Sequence, residues 1–243
     1  MTITLAVLLP TLLIGSIFST LAGGGLGILM IIIGSFFLST QQNIATMSVL
    51  LLSIQLTKLY HFHGHARWPI VGWYVLLGVP ASVAGGYLLF ILPPFFIEKM
   101  IGFLLLFLAI RDCIPRFRIR IRPTRTMLLT SGVFNGLLGG IIGNAAMMRG
   151  QILLLFGLAK EEFVGTSTAI ALPMNLAKSG VYIAHINWTH EIILLFVFGI
   201  PLILIGVMIG KKILQHLKLH MFEHLQRGVI ILGAIKFLLP YGR

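Results

Sequence analysis

The feature that most constrains this chain is a series of long apolar stretches that carry almost no charge. Of its 243 residues, 58% are hydrophobic and only 10% are charged, whereas about a quarter of the residues of a soluble domain are charged. About 20 apolar residues are enough for a helix to cross the hydrocarbon core of a bilayer. The sequence therefore predicts an all-α polytopic membrane protein, and this excludes a soluble enzyme.

Charged residues, prolines and glycines divide the chain into ten apolar segments in two sets of five. The segments lie at 3–21, 24–38, 44–62, 69–91, 95–111, 127–142, 145–158, 164–184, 190–210 and 225–241. The first two segments of each set are short and meet at glycines, namely Gly23, Gly24 and Gly25 in one set and Gly139, Gly140 and Gly143 in the other. Each pair fits two short helices, one broken helix or a re-entrant hairpin, so we expect about 8–10 membrane segments.

The two halves of the chain share an internal repeat. A shift of 120 residues superimposes five chemically distinctive pairs: Thr46 and Thr166, Gln55 and Asn175, Lys58 and Lys178, His65 and His185, and Trp68 and Trp188. One further residue of shift aligns three more: Gly78 and Gly199, Pro80 and Pro201, and Gly85 and Gly206. Such self-similarity indicates a duplication. We predict one membrane domain, 1–243, made of repeat 1 (1–111), a basic cytoplasmic linker (112–126) and repeat 2 (127–243).

The distribution of positive charge predicts the orientation of the repeats. The net charge of +12 would suggest nucleic acid as the partner of a soluble chain, but here the basic residues lie mostly between apolar segments, where they mark the cytoplasmic side. The linker and the residue just before it hold six arginines, from Arg111 to Arg125. Each repeat then has an odd number of crossings, either five segments or three spans and a hairpin. The two repeats therefore have opposite orientations in the membrane. Inverted repeats with interrupted helices are typical of secondary transporters.

Several short motifs resemble those of the sulfite exporter TauE/SafE family. They are the run from Gly15 to Gly25 followed by Ala45-Thr46-Met47-Ser48, the run from Gly136 to Gly143 followed by Phe156 to Ser167, and the loop ends His63 to Trp68 and Ala184 to Trp188. The chain departs from the family at Ile28 to Ile32 and at Arg149-Gly150-Gln151, where the family usually has a proline. Gly143-Asn144-Ala145 replaces the second glycine triplet. These departures fall at positions expected to line the site, so they bear on the substrate.

The resemblance implies transport without ATP and no enzymatic activity. The expected cargo is a small anion: sulfite, a sulfonate or a related sulfur-containing or organic anion. We expect alternating access in a multi-pass protein of the prokaryotic cell (inner) membrane, coupled to an ion gradient of protons or sodium. Besides the anion, the coupling ion and the lipid bilayer, no nucleic acid, cofactor or metal is expected as a partner. The oligomeric state stays open, with a homodimer as one alternative.

The candidate substrate-binding residues are polar or glycine positions near the helix interruptions. Glycine breaks at Gly23, Gly24, Gly25 and Gly143, and beside them Asn144, expose N–H groups toward an anion, or they serve close helix packing. Hydroxyls at Thr46, Ser48, Thr166 and Ser167 line an oxyanion site or cap helix starts. Gln55 and Asn175 face the site or hydrogen-bond between helices.

Three basic residues lie within or beside the apolar segments. Lys58 and Lys178 either extend to the interface or add positive potential to the anion path. Arg149 holds an oxyanion bidentately, or it is a loop arginine at the membrane surface.

A different class of function also fits the sequence. His61, His63 and His65 alternate along the chain, and imidazole is a common metal ligand. The alternative is therefore a membrane-embedded metal-dependent protein, or a chaperone or assembly protein without transport activity.

Overall fold

The computed structural model describes residues 3–22, 26–113, 122–158 and 160–214, and these residues form helices without a strand. The helices are α1 (Ile3–Ala22), α2 (Leu26–Gly34), α3 (Thr40–Phe62), α4 (Trp68–Ile91), α5 (Pro94–Cys113), α6 (Arg125–Ile142), α7 (Ala146–Leu155), α8 (Lys160–His185) and α9 (His190–Leu214). A short 3-10 turn, His63–His65, precedes α4. The all-α prediction is confirmed, and each of the first nine predicted segments corresponds to a helix. The tenth, at 225–241, lies outside the described residues.

Local sequence accounts for several helix boundaries. α6 begins after Thr124, whose hydroxyl accepts a hydrogen bond from the Met127 N–H at 3.3 Å, as an N-cap residue does. α5 begins at Pro94, since proline lacks only an N–H that the first turn would not use. α3 and α8 each begin four residues before their predicted segments, because polar and acidic residues there extend the helix instead of ending it.

By length and composition, two of the described helices are apolar enough to cross a membrane, Trp68–Ile91 and His190–Gly210. α1 contributes a shorter apolar helix, Ile3–Ile17. α3 and α8 are 23 and 26 residues long, but they carry most of the polar residues that the repeat aligns. Their composition therefore differs from that of a plain lipid-facing span.

The described helices belong to two compact units, each of which draws on both halves of the chain. The first unit contains α1, α2, the start of α3, α5 and α9. The second unit contains the rest of α3, then α4, α6, α7 and α8. Every residue of the candidate site described below that the structure covers lies in the second unit.

In the second unit, α4 and α6 pack through glycines at very short range. A Cβ on Gly140 would lie 2.6 Å from the Gly85 Cα, and one on Gly136 would lie 2.8 Å from the Ala81 Cβ. α8 packs on the same helix, where the Ser82 hydroxyl donates to the Met174 carbonyl at 2.9 Å. Because the glycines of α6 have no side chain at these positions, its backbone can touch that of α4.

In the first unit, α1 packs against α9. A Cβ on Gly206 would lie 2.7 Å from the Leu13 carbonyl oxygen. Polar contacts hold the start of α3, where the Thr40 hydroxyl donates to a Glu98 carboxylate oxygen at 2.5 Å and the Asn43 amide donates to the Ile31 carbonyl at 2.8 Å. Among the described residues of this unit, the close α1–α9 pair and side-chain bonds to helix ends are the main contacts.

Candidate functional site

A sharp break between α6 and α7 forms the base of the candidate site. Gly143 follows α6 with a φ of 86°, a left-handed conformation that strongly favours glycine. The Asn144 side chain accepts a hydrogen bond from the Ala146 N–H at 2.9 Å, and the buried Asn135 amide donates to the Ala145 carbonyl at 2.9 Å. The interruption that the sequence predicts in repeat 2 is thus a turn fixed by two asparagines.

Side chains of α3 and α8 satisfy the carbonyl groups at the end of α6. Lys178 is only 2% exposed, and its Nζ donates to the carbonyls of Gly139 and Gly143, each at 2.6 Å. The Gly143 carbonyl also accepts from the Ser48 hydroxyl at 3.1 Å, and the Tyr182 hydroxyl donates to the Gly140 carbonyl. A cation is stabilised there because a helix carries partial negative charge at its C-terminus. The interpretation that Lys178 extends to the membrane interface is therefore wrong.

Arg149 lies in the first turn of α7 and is buried, with 7% of its surface exposed. Its Nε–H donates to the Ser167 hydroxyl at 3.0 Å, the one hydrogen bond that its side chain makes within the described residues. A guanidinium has five N–H donors, so four of them have no partner there. The alternative of a loop arginine at the surface is wrong, since Arg149 is a helical and buried residue.

The charge around Arg149 is positive. Lys58 and Lys178 lie close enough to Arg149 for their charges to interact with it. The unit's acidic residues are both in the first turn of α8, where Glu161 is exposed and Glu162 pairs with Arg67 at 2.7 Å. Within the described residues, neither Arg149 nor Lys178 has a carboxylate partner. Burying a cation without a counter-charge is costly, so this part of the unit favours an anion.

Several buried polar atoms near these elements have no hydrogen-bond partner in the described structure. They include the hydroxyls of Thr46 and Tyr74, both fully buried, and the side-chain oxygen of Gln55. Gln55 lies about two helical turns from Ser48 and on the same face of α3. Buried polar groups in proteins are normally hydrogen-bonded, and orphaned groups indicate a missing partner.

The remaining predicted residues differ in their positions and contacts. Thr46, Ser48, Thr166 and Ser167 are not helix caps, because α3 and α8 begin at Thr40 and Lys160. The Thr166 hydroxyl accepts from the Arg67 backbone N–H at 2.9 Å, just before α4. Asn175 is buried and lies between Ser167 and Lys178 along α8, and those two share one face about 16 Å apart. Lys58 is partly buried, and Gly23, Gly24 and Gly25 lie outside the described residues.

Two of the histidines behind the metal alternative, His63 and His65, occupy the turn before α4, and His61 lies in the last turn of α3. His63 and His65 are exposed, and the His63 Nδ1 lies 3.0 Å from the Tyr60 carbonyl oxygen. In the part of the chain that the structure describes, no three His, Cys, Asp or Glu side chains form a group that could hold a metal ion. The His61 side chain is not among those described.

Sequence reasoning missed three side chains that shape this region: Tyr74, Asn135 and Tyr182. Asn135 is a lone amide in an apolar segment, which is a detectable signal of an internal hydrogen bond. The two tyrosines are indistinguishable from core aromatics in the sequence, because only the fold reveals that Tyr182 reaches a helix end and that Tyr74 reaches no partner.

Comparison with protein families gives a match to a model described as sulfite exporter TauE/SafE, over residues 7–237. This range covers nearly the whole chain. Comparisons with curated proteins and with solved structures give no significant match.

Proposed function

The chain belongs to the sulfite exporter TauE/SafE family, a family of membrane transporters and not of enzymes, and we propose that it is a secondary transporter of a small anion. The observation that carries this proposal is the environment of Arg149. Within the described residues, its buried guanidinium has four N–H donors without a partner and forms no salt bridge with a carboxylate. A transported anion would complete this site.

The chemistry of Arg149 favours an oxyanion as the cargo. A guanidinium presents pairs of parallel N–H groups that match two oxygens of one carboxylate, sulfonate or sulfite group. Ser167 accepts from Nε and so leaves the Nη groups available. Lys58 and Lys178 add positive potential, and the Lys178 ammonium donates to the carbonyls of Gly139 and Gly143. We therefore take sulfite, a sulfonate or a related sulfur-containing or organic anion as the substrate.

Some of the other candidate residues line the anion path, and others support the turn between α6 and α7. We propose that Thr46, Gln55 and Asn175 line the anion path, because polar atoms of Thr46 and Gln55 are buried without a partner in the described structure and Asn175 is a buried amide. Ser48, Gly143, Asn144 and Lys178 hold the turn between α6 and α7. The equivalent glycines of the first half, Gly23 to Gly25, would form the matching turn of repeat 1.

Reciprocal packing supports two inverted repeats. In the second unit α4 of repeat 1 packs on α6 of repeat 2, and in the first unit α9 of repeat 2 packs on α1 of repeat 1. The repeat aligns α4 with α9 and α6 with α1, and the aligned glycines Gly85 and Gly206 both lie at these contacts. We propose that repeat 1 (1–111) and repeat 2 (127–243), joined by the linker 112–126, alternate access in the prokaryotic cell membrane, driven by a proton or sodium gradient.

The proposal is tested by uptake of radiolabelled sulfite into proteoliposomes that contain the purified protein, with an imposed pH or sodium gradient. Arg149→Gln removes the buried cation, and Arg67→Gln is the matched control because Arg67 is an exposed residue of a surface ion pair, a type of pair that contributes little to stability. We expect gradient-dependent uptake by the wild type and by Arg67→Gln, and none by Arg149→Gln. Folded wild-type protein that moves neither sulfite nor any sulfonate would contradict the proposal.

A further inference from the structure

We propose that Tyr74 is a second anion-binding residue, whose hydroxyl donates a hydrogen bond to an oxygen of the anion that Arg149 holds. This inference rests on the proposed function and adds a specificity-determining group to its site. Neither the repeat nor any sequence motif points to Tyr74. The evidence is its position, its burial and its lack of a partner.

The position of Tyr74 follows from the core of the second unit. Tyr74 packs in one cluster with Leu153 of α7 and Ile170 of α8. Leu153 lies one helical turn after Arg149, and Ile170 lies one turn after Ser167, so each pair shares a helix face. Tyr74 therefore shares a core cluster with residues one helical turn away from both members of the Arg149–Ser167 hydrogen bond. The two side chains are also close enough for an electrostatic interaction.

The hydroxyl of Tyr74 lacks the partner that a buried tyrosine normally has. Its side chain is fully buried, and its oxygen makes no hydrogen bond in the described structure. Buried tyrosine hydroxyls usually find a partner, as Tyr182 does at the Gly140 carbonyl. No hydrogen bond joins Tyr74 to Arg149 in the described structure. One ligand that accepts hydrogen bonds from both the Arg149 guanidinium and the Tyr74 hydroxyl would satisfy the free donors of both.

This donor set restricts the class of ligand. The parallel N–H groups of a guanidinium fit two oxygens on the same central atom, and the Tyr74 hydroxyl donates most readily to a third oxygen that the guanidinium leaves free. An anion with three oxygens on one centre, such as sulfite or a sulfonate, supplies all three acceptors. A halide has no pair of oxygens for the guanidinium, and a carboxylate has no third oxygen.

Thermal unfolding and equilibrium binding of the purified full-length protein test this inference, with sulfite and chloride as probes at equal ionic strength. Tyr74→Phe removes only the hydroxyl, and Tyr87→Phe is the matched control on the same helix because Tyr87 is exposed. Without anion, we expect Tyr74→Phe to unfold at the wild-type temperature or above it, because burying an unpaired hydroxyl is unfavourable. We expect its Kd for sulfite to rise roughly 10- to 100-fold, as for loss of a hydrogen bond to a charged group.

The expected pattern is specific to anion binding. Tyr87→Phe should keep the wild-type Kd, and the weak response to chloride should be the same in all three proteins. A wild-type Kd for sulfite in Tyr74→Phe would overturn the inference, and so would a lowered unfolding temperature without anion, which would assign the hydroxyl a structural partner. If Arg149→Gln abolishes sulfite binding while Tyr74→Phe preserves it, the inference fails and the proposed function stands. Wild-type protein that binds neither sulfite nor a sulfonate would overturn both.

Discussion

Lys178 stabilises the end of α6 with an ammonium group that is almost completely buried. Lys178→Met keeps the aliphatic volume but leaves the Gly139 carbonyl without the bond that Lys178 donates. Because hydrogen bonds from charged donors contribute about 1.5–3 kcal/mol each, we expect a loss of about 2–4 kcal/mol in unfolding free energy, measured by thermal or denaturant unfolding in detergent. Lys212→Met, at an exposed lysine, should change stability little. Equal stability of the two variants would argue against this role.

Ser167 orients Arg149 and is predicted to affect binding more than turnover. Ser167→Ala removes the acceptor of the Nε–H bond, so the guanidinium is no longer fixed with its Nη groups free. We expect the KM for anion uptake to rise roughly 5- to 30-fold, the equivalent of one hydrogen bond, with the maximal rate little changed. Ser167→Thr keeps the hydroxyl and should restore the KM. A KM unaffected by the alanine would show that Ser167 does not position the guanidinium.

For individual residues, the sequence identified the residue types but not their environments. Arg149 and Lys178 are both basic residues in apolar segments, and the sequence left both open between surface and interior. The structure separates them, since the carbonyls that bind Lys178 belong to a different helix and Arg149 finds one hydroxyl on α8. Such partners arise from long-range packing, which no local pattern encodes.

The contact of α4 with α6 depends on glycine at the positions where the backbones meet. A Cβ on Gly85 would lie 2.9 Å from the Gly140 Cα and closer still to the Leu137 carbonyl oxygen, both of which are backbone atoms that cannot move aside cheaply. We expect Gly85→Ala to cost about 1–3 kcal/mol of unfolding free energy, as overpacking does. Thermal unfolding of the purified variant measures this.

Gly72→Ala is the matched substitution, because Gly72 lies on the same helix and a Cβ there would meet nothing within 4 Å. An alanine replaces a helical glycine there without a clash, so we expect a gain of up to about 1 kcal/mol. The two substitutions should therefore change the unfolding free energy in opposite directions. A neutral Gly85→Ala would mean that α4 and α6 are not in close contact.

The helices themselves were largely predictable. Apolar runs bounded by charges, prolines and glycines located α1 to α9 to within a few residues, because helix formation in an apolar chain is governed by local composition. The ends were predicted less well. α8 begins at Lys160 and not at 164, since Glu161 and Glu162 suit the first turn of a helix, whereas the predicted segments left both glutamates in the connection between 158 and 164.

For the whole molecule, the inverted repeat predicts opposite sides for two equivalent loops. His65 lies before α4 and Asn187 lies before α9, and both are exposed. In a Cys113→Ser background, we expect His65→Cys to react with thiol reagents from the cytoplasm and Asn187→Cys from the outside, measured with membrane-impermeant reagents on intact cells and inverted vesicles. Labelling of both from the same side would contradict the inversion.

We expect the anion to bind between Arg149 and Tyr74 in the second unit. An experimental structure of the protein with bound selenite, an oxyanion with the shape of sulfite, locates the anion directly through the anomalous scattering of selenium. We predict one selenium peak, with its oxygens at hydrogen-bonding distance from the Arg149 Nη atoms and the Tyr74 hydroxyl, and no peak in Arg149→Gln. Selenium bound at another place in the wild type, or retained in Arg149→Gln, would contradict an anion site at Arg149.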